Sequence, residues 1–283
     1  MLIIDNDVVL KTGLTPSASG SAYIELQPTS TVQSRSLTNQ TSGLKLTCTV
    51  HGPRLLQRSA PFSPQLLLST RVKFAPFAAQ QRRGYVPDAT ERDLAAHLET
   101  ALRSVLIGER WPKSGVDVSV TVLEGEDDHP PERFGQHRNG RTGGWGLMSI
   151  LSGCITVASA AITDAGIDCV DLVTGGVAAI IHQPSMPLQI VLDPSPSDQE
   201  EIIAACVIGY LQSRDEITEL WAKGNMVQTN GKASHPLTFE PLVDRAVEAA
   251  MTARLVLIEA LQEATESKIQ SKQPQIPEKL SAM

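Results

Sequence analysis

The stretch Ile150–Asp171, ILSGCITVASAAITDAGIDCVD, decides how the rest of the chain is read. Ile150, Leu151, Cys154, Ile155, Ala158, Ala161 and Ile162 recur at helical spacing and predict the apolar face of a helix. Gly153, Ser159, Ala160 and Thr163 fall on the other face and are small enough for a neighbouring element to pack close. Asp164-Ala165-Gly166 ends the helix, because Gly166 supplies the positive φ that helix C-termini favour. A helix of small and apolar residues needs cover on several sides, which predicts a core of sheet and helix together.

Strand signals surround it. Val116, Val118, Val120 and Val122 alternate with Ser119 and Thr121, which face the other way. Ala22, Ile24 and Leu26 alternate with Tyr23 and Glu25, and Leu44, Leu46, Cys48 and Val50 form the partner strand. Arg71–Phe77 is a further strand, followed by the polar and basic run Gln80-Gln81-Arg82-Arg83-Gly84. Asp88 or Thr90 caps a helix, since each has an acid three residues on, Glu91 and Asp93. Leu94, Leu98, Leu102 and Leu106 make its buried stripe, and Trp111-Pro112-Lys113 breaks it. Downstream lie apolar strands near Leu172–Ile181 and Leu188–Leu192, and apolar runs at Ile202–Leu211 and Ile217–Trp221. A long helix from Phe239 to Ala264 follows, apolar at Leu242, Val243, Ala246, Ala250, Leu257 and Leu261. The pattern predicts an α+β fold, a mixed sheet packed with helices. It forms a single domain over residues 1–268 with inserted loops near 28–43, 55–69 and 125–147 and a polar tail at 269–283. The composition of Gly125–Gly146 favours disorder.

Composition narrows the function classes. A net charge of −7 excludes a surface that attracts nucleic acid everywhere, so any RNA contact needs a local basic patch or partner chains. The four cysteines, Cys48, Cys154, Cys169 and Cys206, are far apart without C-x-x-C spacing and read as buried free thiols of a reducing compartment. MLIIDNDVV has no positive n-region before a long apolar core, so no signal peptide is expected. No window presents roughly 18 uninterrupted apolar residues, so no membrane span is expected and the chain reads as soluble and intracellular.

Three stretches carry a resemblance. ASAAITDAGIDCVDLV at 158–173, ERWPKSGVDVSVTVLEGE at 109–126 and LTCTVHGPR at 46–54 together resemble the RNase PH-like family. That family comprises phosphorolytic exoribonucleases and the ring subunits of the eukaryotic RNA exosome. The resemblance spans roughly Thr12 to Asp193 and implies the fold of ribosomal protein S5 domain 2. It also implies pairing with other RNase PH-like subunits into a hetero-hexameric ring. Such a ring threads single-stranded RNA to an associated nuclease and carries cap subunits with RNA-binding domains, in the nucleus (including the nucleolus) and the cytoplasm.

Phosphorolysis needs a phosphate grip and an acidic pair for a metal or a proton. The family's Gly-Ser/Thr-Arg run falls here at Ser149-Ile150-Leu151, and its acidic pair, after the Leu192-Asp193 strand end, at Gln199 and Ala205. The hydroxyl, the arginine and both carboxylates are gone. Asp198, Glu200 and Glu201 could restore one acid by a shifted alignment, which keeps an active exoribonuclease with a displaced site as the alternative. A small-molecule kinase on the same topology would need a Gly-rich loop after a strand, whereas Gly140–Gly146 follows a polar loop. Asp164, Asp168 and Asp171 read as capping and turn residues rather than metal ligands. No catalytic residue, metal or cofactor is therefore expected, and Arg82 and Arg83 are the candidate RNA-binding residues, matching a basic run that faces the RNA path in the family.

Overall fold

The computed structural model of the chain describes residues 8–26, 43–57, 61–78, 84–125, 145–181, 188–194, 202–224 and 239–272. Period-two alternation builds its first sheet. β1 (Val8–Thr12), β2 (Gly20–Leu26), β3 (Leu44–Leu55), β4 (Leu67–Phe74) and β5 (Ser114–Glu124) lie in the order β1-β2-β3-β5-β4. β3 and β5 bury every second residue along their shared length. β4 runs parallel to β5 while the other pairs are antiparallel, so the sheet is mixed. The second sheet is antiparallel throughout: β6 (Val173–Ile181), β7 (Gln189–Leu192), β8 (Ile202–Leu211) and β9 (Glu216–Gly224), in the order β7-β6-β8-β9.

Helices fill the space between and behind the sheets. α1 (Ala89–Arg103) packs on β4 and β9, and α2 (Gly146–Asp164) on β2 and β3 at one side and on β6 and β8 at the other. α3 (Phe239–Lys272) covers the far face of the second sheet along β6 and β8 and reaches β1. One apolar core surrounds α2, and a second, of Ala178, Ile180, Ala204, Cys206, Ile208 and Tyr210, meets Leu242, Ala246 and Ala250 of α3. Cys48 and Cys154 are buried in the first core and Cys206 in the second, while Cys169 is half-buried; all four are free thiols.

β6, VTGGVAAII, is buried at every residue because helices cover both its faces. A Cβ on Gly175 would stand 2.3 Å from the Ser152 carbonyl oxygen of α2, and one on Gly176 would stand 2.1 Å from that of Ala246 in α3. The two glycines thus let α2 and α3 approach the same strand from opposite sides. β7 covers only Ala178–Ile181 of β6. Beyond it, Val173 N–H donates to Ser159 Oγ at 3.1 Å and Gly175 N–H to Thr156 Oγ1 at 3.0 Å, so hydroxyls of α2 satisfy donors the short strand leaves.

The α2 exit follows the sequence reading in detail. Gly166, at φ 70°, closes the helix with Gly166 N–H to Thr163 O at 3.0 Å and Ile167 N–H to Ile162 O at 3.3 Å. Ile162 and Ile167 are both buried, completing a Schellman closure with its apolar contact. At the start of α1, Asp88 and Glu91 form the expected capping box.

Other boundaries move. α2 begins at Gly146 rather than Ile150, and its N-cap, Trp145, offers no side-chain acceptor, so no capping signal marks the start. β4 begins at Leu67 rather than Arg71 because parallel pairing sets Leu67 opposite Gly115. α1 ends at Arg103, well before Trp111, and Leu106 leaves the helical stripe to bridge Cys169. α3 continues past Ala264 to Lys272, and residues 265–270 are exposed. α2 is long and apolar enough by composition to cross a membrane, but 78% of that window is buried in the protein, which accounts for its apolarity. Residues 28–42 and 126–144, which cover most of two expected inserted loops, lie outside the described residues.

Candidate functional site at the head of the central helix

Phosphate grips form where helix N-terminal amides converge with an arginine and a hydroxyl. The first turns of α2 hold the corresponding positions. Trp145 sits at the cap with helical φ and ψ and makes no side-chain cap bond. Ser149 is half-buried, and Ile150 and Leu151 are sealed at 1% and 0% exposure. The Ile150 side chain packs towards the end of β5, where its Cδ1 and Val122 Cγ1 each lie 3.3 Å from a Cβ built on Gly125.

The acid positions diverge in the same way. Ala205, on β8, is 1% exposed and belongs to the same apolar core as Ile150 and Leu151. Gln199, Asp198, Glu200 and Glu201 lie outside the described residues. Lys223, the cross-strand partner of Ala205 on β9, sets its ammonium 5.8 Å from the centroid of the Trp145 ring. Ile150, Leu151 and Ala205 thus belong to one apolar core, and Trp145 meets Lys223 at the head of the helix. Such apolar surroundings penalise a buried charge that has no partner. Among the described residues no group of three His, Cys, Asp or Glu side chains converges on a metal site.

The three aspartates at the other end of α2 have partners within the protein. Asp164 accepts from Ser21 N–H at 3.0 Å and pairs with Lys268. Asp168 pairs with Arg110 at 3.1 Å. Asp171 takes Leu172 N–H at 2.8 Å, Ser213 N–H at 3.1 Å and the Arg254 guanidinium at 2.8 Å. Burial pushes the Asp171 carboxyl up, but these hydrogen bonds and the Arg254 charge outweigh it and hold it below the usual carboxylate value.

Arg82 and Arg83 lie outside the described residues, but both flanks of their segment are placed. Lys73, near the end of β4, donates to the Gly84 carbonyl at 3.1 Å and to that of Val86 at 3.5 Å, and pairs with Glu91 at 3.0 Å. The Glu91 carboxylate is 1% exposed and also accepts Phe74 N–H at 2.9 Å and Asp88 N–H at 3.0 Å. One buried carboxylate thus ties the chain entering the basic segment to the chain leaving it. Sequence reasoning found Glu91 as a capping residue and missed Lys73, because the ammonium reaches its carbonyls only through tertiary placement.

Residues 6–168 match the family described as 3′ exoribonuclease family, domain 1 (RNase PH). The chain is 50% identical to Exosome complex component MTR3 of Chaetomium thermophilum over 256 residues, covering 90% of this chain and 84% of the relative. It is 27% identical to Exosome complex component mtr3 of Schizosaccharomyces pombe, covering 90% and 82%. Among solved structures, rice (Oryza sativa) Rrp46 superposes with a TM-score of 0.63 at 14% identity, covering 90% of this chain and 94% of that one, a likeness of fold.

Proposed function

The chain belongs to the RNase PH family of 3′ exoribonucleases, and from that premise we propose that it is an exosome ring subunit that contributes architecture instead of catalysis. It is a component of the exosome core ring, the role that its half-identical relative supports. The observation that carries the silent reading is the sealing of Ile150 and Leu151 into the apolar core with Ala205. A phosphate-binding arginine at position 151 would need an anion and solvent, and this environment offers neither.

On this reading the chain pairs with other RNase PH-like subunits into a hetero-hexamer, supports cap subunits and forms part of a channel wall leading single-stranded RNA to a separate nuclease. Its sites of action are the nucleus, including the nucleolus, and the cytoplasm. Arg82 and Arg83 supply charge to the RNA backbone, in a chain whose net charge of −7 makes a local basic run necessary.

Two measurements test the reading. Tagged chain recovered from its own cell extract and sized under native conditions is expected in a particle with other RNase PH-like subunits, whereas a lone monomer or homohexamer contradicts it. Purified chain incubated with RNA and inorganic phosphate is expected to release no nucleoside diphosphates. Release would revive the displaced-site enzyme.

A further inference from the structure

The outer face of α3 carries a heptad pattern. Met251, Leu255, Ile258, Gln262, Thr265 and Ile269 follow one another in alternating steps of four and three residues. That is the spacing of the a and d positions of a coiled-coil seam, with Leu255, Gln262 and Ile269 at a. Met251, Leu255 and Ile269 are exposed at 38%, 66% and 60%. Leu242, Ala246, Ala250 and Leu257, on the other face of the same helix, are sealed in the two cores. The seam is therefore separate from the face that folds α3 onto the sheets.

Beside the seam runs a row of acids. Glu259, Glu263 and Glu266 are exposed, and each stands one helical turn from the next. Like charges at that spacing weaken a helix. Arg245, Arg254 and Lys268 of α3 turn instead to Glu248, Asp171 and Asp164. None of the three acids in the row has an ion-pair partner among the described residues. The same turns leave the body of the protein, since residues 265–270 are exposed throughout. Helix without packing is marginal in water, and here it also carries self-repelling charge and an exposed isoleucine. Cations supplied by a neighbour would turn the acid row from repulsion to attraction, and apolar side chains on that neighbour would cover the seam.

We propose that the outer face of α3, from Met251 to Ile269, docks an amphipathic helix of a partner chain that has apolar residues at heptad spacing and lysine or arginine beside them. Glu259 and Glu266 take the e positions, where charge selects the partner, and Gln262 is a polar a position of the kind that fixes register. A second copy of this chain fits poorly. Antiparallel, it would set the e-position acids against one another; parallel, it would offer them Leu261 and an Arg254 already bound to Asp171. The proposal draws only on the surface of α3 and stands apart from the ring reading.

The test places a photo-crosslinking residue at position 265 of the full-length chain in its own cells. The crosslink is expected on a partner segment with apolar residues at steps of three and four and with Lys or Arg beside them. E259K/E263K/E266K is expected to cut that product roughly tenfold, with the circular dichroism of the purified variant as in the wild type. A fluorescein-labelled peptide copied from the crosslinked segment is expected to bind the purified chain and to lose roughly tenfold in affinity for L255S/I269S. The same peptide with Glu at its Lys and Arg positions is expected to bind only E259K/E263K/E266K. A crosslink to a second copy of this chain, to RNA or to a segment without the pattern overturns the seam. So does the absence of any crosslink, or binding that neither variant changes. Co-recovery of other RNase PH-like subunits is measured in the same preparation: a ring without the helix removes the seam alone, and a helix crosslinked to a chain outside any ring removes the ring reading alone.

Discussion

The two ends of α2 have been treated in opposite ways. At its head, where the family's chemistry would need a hydroxyl and a guanidinium, Ile150 and Leu151 are packed as core. At its exit, Asp164, Asp168 and Asp171 each have a cation or backbone donor opposite them. Acids near a helix C-terminus are disfavoured by the helix dipole, so partners are required to keep them. The contrast separates two uses of polarity in one element. The head is packed with apolar volume, and the charges at the exit tie the helix to its neighbours.

The sharpest way to break this comparison is to restore the head. Ile150→Ser with Leu151→Arg places an unpaired cation in the core and is expected to cost about 3–5 kcal/mol, without creating phosphorolysis. Urea unfolding and a phosphate-dependent exonuclease assay read the two outcomes; a stable, active double variant would show the head to be a site in waiting. At the exit, Asp171→Ala leaves Arg254, 20% exposed, without its carboxylate and removes the acceptor of two amides. The expected loss is about 2–3 kcal/mol by the same unfolding measurement.

Acid titration sharpens the exit further. The Asp171 pKa is lowered in the folded protein, so its contribution is complete above the unfolded value of about 3.9 and disappears as pH falls through the folded pKa. Asp171→Asn should therefore lie below the wild type at neutral pH and converge on it in acid. Smallest is Lys268→Ala, at the Asp164 pair. The lysine is 54% exposed, so a change under about 1 kcal/mol in the unfolding midpoint is expected.

Local signals were legible and non-local ones were not. The alternation of β3 and β5, the Asp88–Glu91 capping box and the Gly166 closure each lie within a few residues, and the structure has them where the sequence implied. The start of α2 was misjudged because Trp145 provides no cap, and the start of β4 because its register is dictated by β5. The positions compared with the family's motif could be singled out only through the resemblance, since Ile150 and Leu151 are ordinary helix residues on periodicity alone. The Lys73–Glu91 tie and the Asp171–Arg254 pair join residues far apart in the chain, and no spacing rule reaches them.

The burial of the cysteines gives the protein an internal gauge of its own opening. Burial pushes the Cys154 thiol up to about 12, those of Cys169 and Cys206 to about 11, and Cys48 higher still. Alkylation proceeds through the thiolate, so in the closed protein these sulfurs are almost unreactive at neutral pH. A maleimide or iodoacetamide clock would then count excursions in which the layers around α2 part, with Cys154 timing the first core and Cys206 the second. If ring partners brace the layers, the rate of modification should slow on assembly.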